Sequence, residues 1–378
     1  MRILHLADLH LGKILHDVHL TPDQDDLLGQ VARLAEDEGV DVVVIAGDVY
    51  DRSVPPVEAT EVLDHFLSTL ILEQGTPVVL IPGNHDSAER LAFGSRLLRE
   101  RGLHIAAEPA SLRPITLADR YGPVVLLPIP YIEPLTLRRH LGDTAIPDFT
   151  AAYRHVLAGA PAAGRTVCIA HCYTAGGQES ESERPLVMGG SQLVDAGVFA
   201  PFALTLLGHL HRPQQVAASA WYAGAPLRYS FSELDHEKVF SIFDLDCRGL
   251  VTRTSFPVRP RRELRQKKGT LDEILAGAAG DPASDDYLAI TLTDRGVLFD
   301  YAAKIRAVYP NVLSIVRAQQ EGEGDLLHPG ELRRLSDQEI VGRFYAHVAA
   351  GLDDAEAAML VEVMDELNRG EERPACGR

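Results

Sequence analysis

Apolar and polar positions follow two rhythms along the first two-thirds of the chain. Continuous apolar runs at 2–7, 41–46 and 77–82 read as buried strands, while 22–38 and 57–73 carry apolar residues at helical spacing. Runs at 124–128, 166–170, 204–207 and 239–245 extend the strand series, so the pattern predicts an α/β layered fold. The first helix has a start signal. Thr21 can cap, Pro22 occupies the first turn and Gln24 lies three residues after Thr21, the spacing of a capping box.

The rhythm changes near Pro257. Residues 257–268 hold Arg259, Arg261, Arg262, Arg265, Lys267 and Lys268 against Glu263 alone, a net +5 that marks a domain boundary between 1–256 and 257–330. Beyond it a helical pattern at 271–279, a strand at 287–292, a helix near 300–308 and a strand at 311–317 suffice for a small α+β domain. Two amphipathic helices follow within 331–369, expected to form a helix-loop-helix. Ser336 with Glu339 opens the first, with Ile340, Phe344 and Val348 on one face; Asp353 with Glu356 opens the second, with Met359, Val363 and Leu367 in register. Residues 370–378 read as a disordered tail.

Composition narrows the class. At 378 residues, with 46% apolar and 24% charged positions, the chain is a globular protein of two or three domains. Its 36 basic and 54 acidic residues give a net charge of −18, which repels nucleic acid and anionic membranes from the body as a whole. A polyanionic substrate must then be held locally. Cys168, Cys172, Cys247 and Cys376 form no Cys-x-x-Cys pair or disulfide framework, no signal peptide opens the chain, and no apolar run approaches ~18 residues. A reduced, cytoplasmic protein without a membrane partner is expected.

The chemistry lies just after the strands. Asp8-Leu9-His10 follows the first, Gly47-Asp48-Val49-Tyr50-Asp51-Arg52 the second and Gly83-Asn84-His85-Asp86 the third; Ala170-His171 and Gly208-His209-Leu210-His211 follow later ones. In open α/β sheets ligands bind beyond the carboxyl ends of strands, so these clusters converge. They supply oxygen and nitrogen donors without thiolate, too many for one divalent ion and enough for two. Two ions ~3.5–4 Å apart need a bridging carboxylate, for which Asp48 is central. Gly47 and Gly83 would let the backbone turn sharply.

Asp-x-His, Gly-Asp-x-x-Asp-Arg, Gly-Asn-His-Asp, a lone His and Gly-His-x-His, in this order, resemble the calcineurin-like metallophosphoesterases. Asp51-Arg52-Ser53-Val54-Pro55-Pro56, Asn84 to Arg90, Glu181-Ser182-Glu183-Arg184-Pro185 and Ala225-Pro226-Leu227-Arg228-Tyr229-Ser230 are similar, more narrowly, to the SbcD family of bacterial nuclease subunits. The likeness spans about residues 1–245 and loosens after 257. It implies an αββα sandwich with a small α+β capping domain and a C-terminal helix-loop-helix. It also implies two divalent ions, manganese in the family: Asp8, His10, Asp48 and His211 around the first, and Asp48, Asn84, His171 and His209 around the second. His85 would stay unliganded and protonate the departing 3′ oxygen; its sequence neighbour Asp86, on adjacency alone, either orients it or forms a turn. His16 either contacts substrate phosphate or is an exposed loop residue, and Arg52 either contacts phosphate or fixes its loop through a salt bridge. The expected partners are double-stranded and hairpin DNA and an SbcC-type ATPase docked on the C-terminal helices. The expected assembly is a homodimer through 57–73 and 88–100, within a heterotetramer at the nucleoid. No Gly-x-x-x-x-Gly-Lys-Ser/Thr loop occurs, so ATP must bind elsewhere.

Two rivals stay open on the residues. One is a phosphoesterase for small phosphodiesters or phosphoproteins, distinguished by activity on a model diester without activity on duplex DNA. The other is a catalytically silent DNA-end scaffold, against which the intact ligand series argues. The basic run at 257–268 is either a DNA contact or a solvated linker.

Overall fold

In the computed structural model, residues 1–108, 112–142, 146–162, 164–183, 192–318, 339, 341–342, 345 and 356–363 are described. Within Met1–Arg265, two six-stranded sheets pack face to face. The first has the order Val251–Pro257, Val239–Leu245, Arg2–Leu6, Val42–Ala46, Val78–Ile81 and Leu103–Ile105; its last four strands are parallel. The second has the order Gln214–Ala217, Ala220–Tyr222, Leu204–Gly208, Thr166–His171, Gly122–Ile129 and Ile115–Asp119, with parallel pairing through the middle.

Alternation along the strands fills the sandwich. Ile3, Val42, Val44 and Val79 from one sheet meet Leu126, Val167, Ile169 and Leu206 from the other in a single core, with each fully buried aliphatic side chain contributing about 1.5–3 kcal/mol. The opposite faces are apolar too. Leu127, Cys168 and Leu207 pack with Leu137, Ala152 and Tyr153 of helices Pro134–Leu141 and Phe149–Leu157. On the first sheet Leu4, Val43 and Ile45 are buried, matched by the buried stripe Leu27, Leu28, Val31 and Ala35 of helix Thr21–Asp37. Strands that are apolar on both faces explain why the sequence shows continuous runs there. No helix among the described residues is long and apolar enough to cross a membrane.

Several expectations change on folding. Thr21 does not cap: Leu20 precedes the first helix without a side-chain cap, and Gln24 is buried and bonded to a neighbouring loop. An exposed capping box forms instead at Thr270 and Glu273, before helix Leu271–Ala278. The helix expected at 57–73 is α-helical over Val57–Ser68 and ends in a wider π turn over Thr69–Glu73, where the Gln74 N–H donates to the Thr69 C=O. Residues 88–100 form two short helices, Ala88–Leu91 and Ser95–Arg99, because Gly94 between them adopts φ 72°.

The chain divides at Arg265, with Asp285–Tyr287 belonging to the first unit. The division falls later than Pro257 because Arg262 pairs with Asp23 and Asp285, and Arg265 with Asp286. From Leu264 the basic run is a strand rather than a linker, and Lys267 is paired with Asp281; Arg259, Arg261 and Lys268 are exposed. The second unit holds residues 266–269 and 288–292 of the strands Leu264–Gly269 and Tyr287–Leu292, the strand Val312–Arg317, and helices Leu271–Ala278 and Tyr301–Val308, around Leu288, Ile290 and Ile305. Of the closing pair, Ser336, Ile340, Phe344, Val348, Asp353 and Leu367 lie outside the described residues, as does the tail 370–378; Met359 and Val363 are exposed on helical residues 356–363.

Candidate metal centre

All five polar clusters meet at one edge of the sandwich, beyond the carboxyl ends of the parallel strands. The loops that carry them are bent into conformations side chains rarely adopt: Asp8, His10, Asp48 and His209 have φ of 53°, 44°, 47° and 109°. Such strain persists only where surrounding contacts enforce it, and it gathers at functional sites. Here the Asp8 and His10 amides donate to the Gly47 and Asp48 carbonyls, stitching the first two loops together. Gln24 completes the clamp, accepting from the Gly12 amide at 3.0 Å and donating to the His10 carbonyl at 2.8 Å.

Close approach explains the glycines better than turning alone. A side chain at Gly47 (φ 93°) would lie 2.2 Å from His171 Nδ1, and one at Gly83 would lie 2.1 Å from Asp48 Oδ1. Gly83 has no left-handed φ; it provides space, not a turn. Gly208, which the sequence did not single out, is equally constrained, with 2.0 Å to the Ala46 carbonyl.

Five of the seven expected ligands fall in two buried sets, and a third set joins His10 to Asp51 and the exposed His85. Asp8, His10 and His211 present donor atoms within 4.8 Å of one another, as do Asp8, Asp48 and His171. His10 Nε2 and His211 Nε2 face each other at 3.2 Å, and His171 Nε2 lies 3.5 Å from Asp48 Oδ2. The Asn84 Oδ1 atom sits 3.0 Å from both His171 Nε2 and His209 Nδ1. Two imidazole nitrogens thus converge beside two buried carboxylates. Among the described residues buried His10 Nδ1 has no partner at hydrogen-bond distance, the Asp51 Oδ1 atom lying 3.6 Å away. The donor set therefore fits hard or borderline divalent ions. Cys168 and Cys172 are not part of it: burial drives both thiols up, Cys172 to about 12, and the Cys172 Sγ lies against the Thr174 hydroxyl.

The protein's own charges are poorly balanced here. Burial pushes Asp8 well above the usual carboxylate range, opposed by His171 and reinforced by Asp48. Burial would do the same to Asp48, but the charge and hydrogen bond of His171, with His10 and His85, hold it well below that range. His171 resists burial for the same reason: Asp48 and Asp8 keep it charged, raised to about 9, with Nδ1 donating to the Ala46 carbonyl at 2.8 Å. His209 has less support, and burial beside His171 lowers it to about 3.

His85 is exposed beside these sets, its ring edge-on to His10 at 4.9 Å, with its main-chain N–H bonded to Asp48 Oδ1. Asp86 does not orient it. The Asp86 carboxylate instead accepts the Val49, Tyr50 and Gly83 amides at 3.0, 2.9 and 2.9 Å, joining the second and third loops, and it is the Asp51 carbonyl that holds His85 Nδ1 at 3.0 Å. A three-residue turn lets the Asp86 oxygens reach these amides, whose three hydrogen bonds oppose the upward push of burial on the carboxyl group. His16 and Arg52 are both exposed, and His16 packs 5.8 Å from Phe231 in the turn between Ile14–Leu15 and Val18–His19.

Residues the sequence reading passed over support the ligands. Besides Gln24, Glu183 and Glu233 accept from the main chain and ring of His211, and Tyr229 stands edge-on to His10 and His211 at 5.5 and 5.9 Å. Glu183 and Tyr229 fall within the quoted SbcD-like stretches, the one signal that could have marked them.

The calcineurin-like phosphoesterase family model matches residues 1–142, which carry three of the five clusters. The model described as the type 5 capsule protein repressor C-terminal domain matches residues 260–349. The SbcD subunit of nuclease SbcCD from Staphylococcus epidermidis is 32% identical over 354 residues, covering 92% of this chain and 93% of that protein. Its counterpart in Staphylococcus saprophyticus is 31% identical over 352 residues, covering 91% and 92%. Similarity of this extent runs through both halves of the ligand set and on through the second unit, so the chain belongs to the SbcD family of SbcCD nuclease subunits, metal-dependent phosphodiesterases built on the calcineurin-like fold.

Proposed function

We propose that this chain is the manganese-dependent nuclease subunit of an SbcCD-type complex. It would trim double-stranded DNA ends from 3′ to 5′ and open hairpins under ATP-driven control by an SbcC-type partner. The observation that carries the reading is the pair of buried sets Asp8, His10, His211 and Asp8, Asp48, His171, which share Asp8 and approach again where Asp48 Oδ2 lies 3.8 Å from His10 Nε2, with the exposed His85 at their side. Asp8, His10, Asp48 and His211 would hold one ion, and Asp48, Asn84, His171 and His209 the other. When bound, the ions would neutralise charge growing on the phosphoryl oxygens. The chain's residues do the rest. The Asp51 carbonyl fixes His85 through Nδ1, leaving Nε2 free to deliver a proton to the leaving 3′ oxygen, and Asp86 keeps the two loops that flank that ring at a fixed spacing.

A net charge of −18 makes the isolated chain a poor DNA binder, so the reading assigns the grip on DNA to the ions and the ATPase partner. A homodimer would cover the apolar groove between Val57–Ser68 and the two short helices, where Val54, Leu72 and Phe93 are 59–87% exposed. End-labelled duplex and hairpin DNA should be cut with manganese, more so with the ATPase and ATP, and not by Asp48→Asn. Cleavage of a model phosphodiester alone, with DNA untouched even with the ATPase present, would replace this reading with that of a small-substrate phosphoesterase.

A further inference from the structure

His211 is gripped from behind by a buried ion pair. Its Nδ1 lies 2.9 Å from Glu233 Oε1, and the other Glu233 oxygen accepts from Lys238 Nζ at 2.7 Å. The same ammonium donates to the His211 carbonyl at 2.9 Å, so one Lys–Glu pair holds both the ring and the backbone of one ligand. The Ser182 hydroxyl adds a bond to Glu233 Oε1 at 2.8 Å. The turn that carries Glu233 is fixed in its own right: Arg228 Nε donates to the Glu233 carbonyl at 3.2 Å and its Nη2 to the His236 carbonyl at 2.8 Å.

Glu233 has no exposed surface and Lys238 only 8%. Burying two charges costs several kcal/mol each before their attraction is counted, and well-packed apolar residues usually serve stability as well or better. The pair therefore has a use other than stability. An imidazole whose Nδ1–H is committed to a carboxylate must offer Nε2 as a lone pair, and Nε2 is the atom that faces His10 and stands with the Asp8 set.

We propose that Glu233, neutralised by Lys238, is a positioning residue of the metal centre: it fixes the Nδ1–H tautomer and ring orientation of His211, so that Nε2 is ready to bind a divalent ion. The inference rests on the two-metal reading above, and Glu233 itself touches neither ion nor substrate.

The test uses the full chain, titrated with Mn²⁺ alone by calorimetry and electron paramagnetic resonance, with imidazole ¹⁵N shifts read in the metal-free protein. Two variants are compared with the parent: Glu233→Gln, and Glu233→Leu combined with Lys238→Met, which removes both charges and should fold even if the single change does not. In each, affinity for one of the two ions should fall about 10–100-fold while the other is kept, and the His211 shifts should leave the Nδ1–H pattern. A folded Leu/Met variant that binds both ions as the parent does, with unchanged His211 shifts, would overturn the inference. A parent that binds fewer than two ions, or an Asp48→Asn chain that binds like the parent, would refute the two-metal reading instead.

Discussion

Replacing Gln24 with Leu tests whether the strained ligand loop is held in place or merely tolerated. Gln24 is 1% exposed; its Oε1 accepts the Gly12 amide at 3.0 Å, and its Nε2 lies 2.8 Å from the His10 carbonyl and 3.1 Å from the Leu9 carbonyl. In Gln24→Leu the Gly12 N–H loses that acceptor, a cost of about 1–3 kcal/mol. The His10 carbonyl keeps the Lys13 amide and the Leu9 carbonyl keeps the Tyr229 hydroxyl, so each loses only one bond, about 1 kcal/mol apiece. The added apolar burial of Leu returns about 1–2 kcal/mol. The net loss is about 1–4 kcal/mol, a fall in Tm of roughly 2–16 °C. Because the loop carries Asp8 and His10, manganese affinity should fall as well, by about 10–100-fold, the usual cost of losing a group that orients ligands. Gln24→Glu separates the two roles: it keeps an acceptor for Gly12 but donates to His10 only when protonated, so its Tm should fall as pH rises. Thermal unfolding with a parallel manganese titration decides the matter. A Gln24→Leu protein within 1 °C of the parent and with unchanged affinity would show that the φ values at Asp8 and His10 do not depend on this side chain.

His85→Ala should bind manganese as the parent does while cleavage slows by about 10²–10⁴-fold; loss of metal in a titration would remove His85 from the role of proton donor. Gly208→Ala places a methyl 2.0 Å from the Ala46 carbonyl, so the protein should be recovered unfolded or with weakened metal binding, and a soluble variant of parental Tm would contradict the packing. With chelator present, stability should depend on pH through His171. Its folded value of about 9 exceeds the unfolded ~6.5, so its contribution is full below ~6.5 and is lost as pH rises through about 9. Denaturation midpoints of His171→Gln that keep the parental slope between these limits would assign the dependence to another group.

The sequence by itself determined the layered strands, the order of the polar clusters and the donor types, because a strand buried on both faces must be apolar without a break and a ligand must carry a lone pair. Val42–Ala46 followed by Gly47-Asp48 shows both facts in seven letters. Tertiary structure decided what local spacing could not. Gln24 sits at capping distance from Thr21, yet burial beside Leu9, His10 and Gly12 gives its amide better partners than a helix end. Asp86 adjoins His85 in sequence but turns to amides from the Val49 loop, 37 residues away. The Arg and Lys run that reads as a linker is partly tied down by Asp23, Asp281, Asp285 and Asp286. Glu233 and Lys238, outside every quoted motif, end behind His211 because the chain returns there to enter the strand Val239–Leu245. In each case a buried or half-buried polar group took the partner that folding brought within reach, and local spacing along the chain did not reveal that partner.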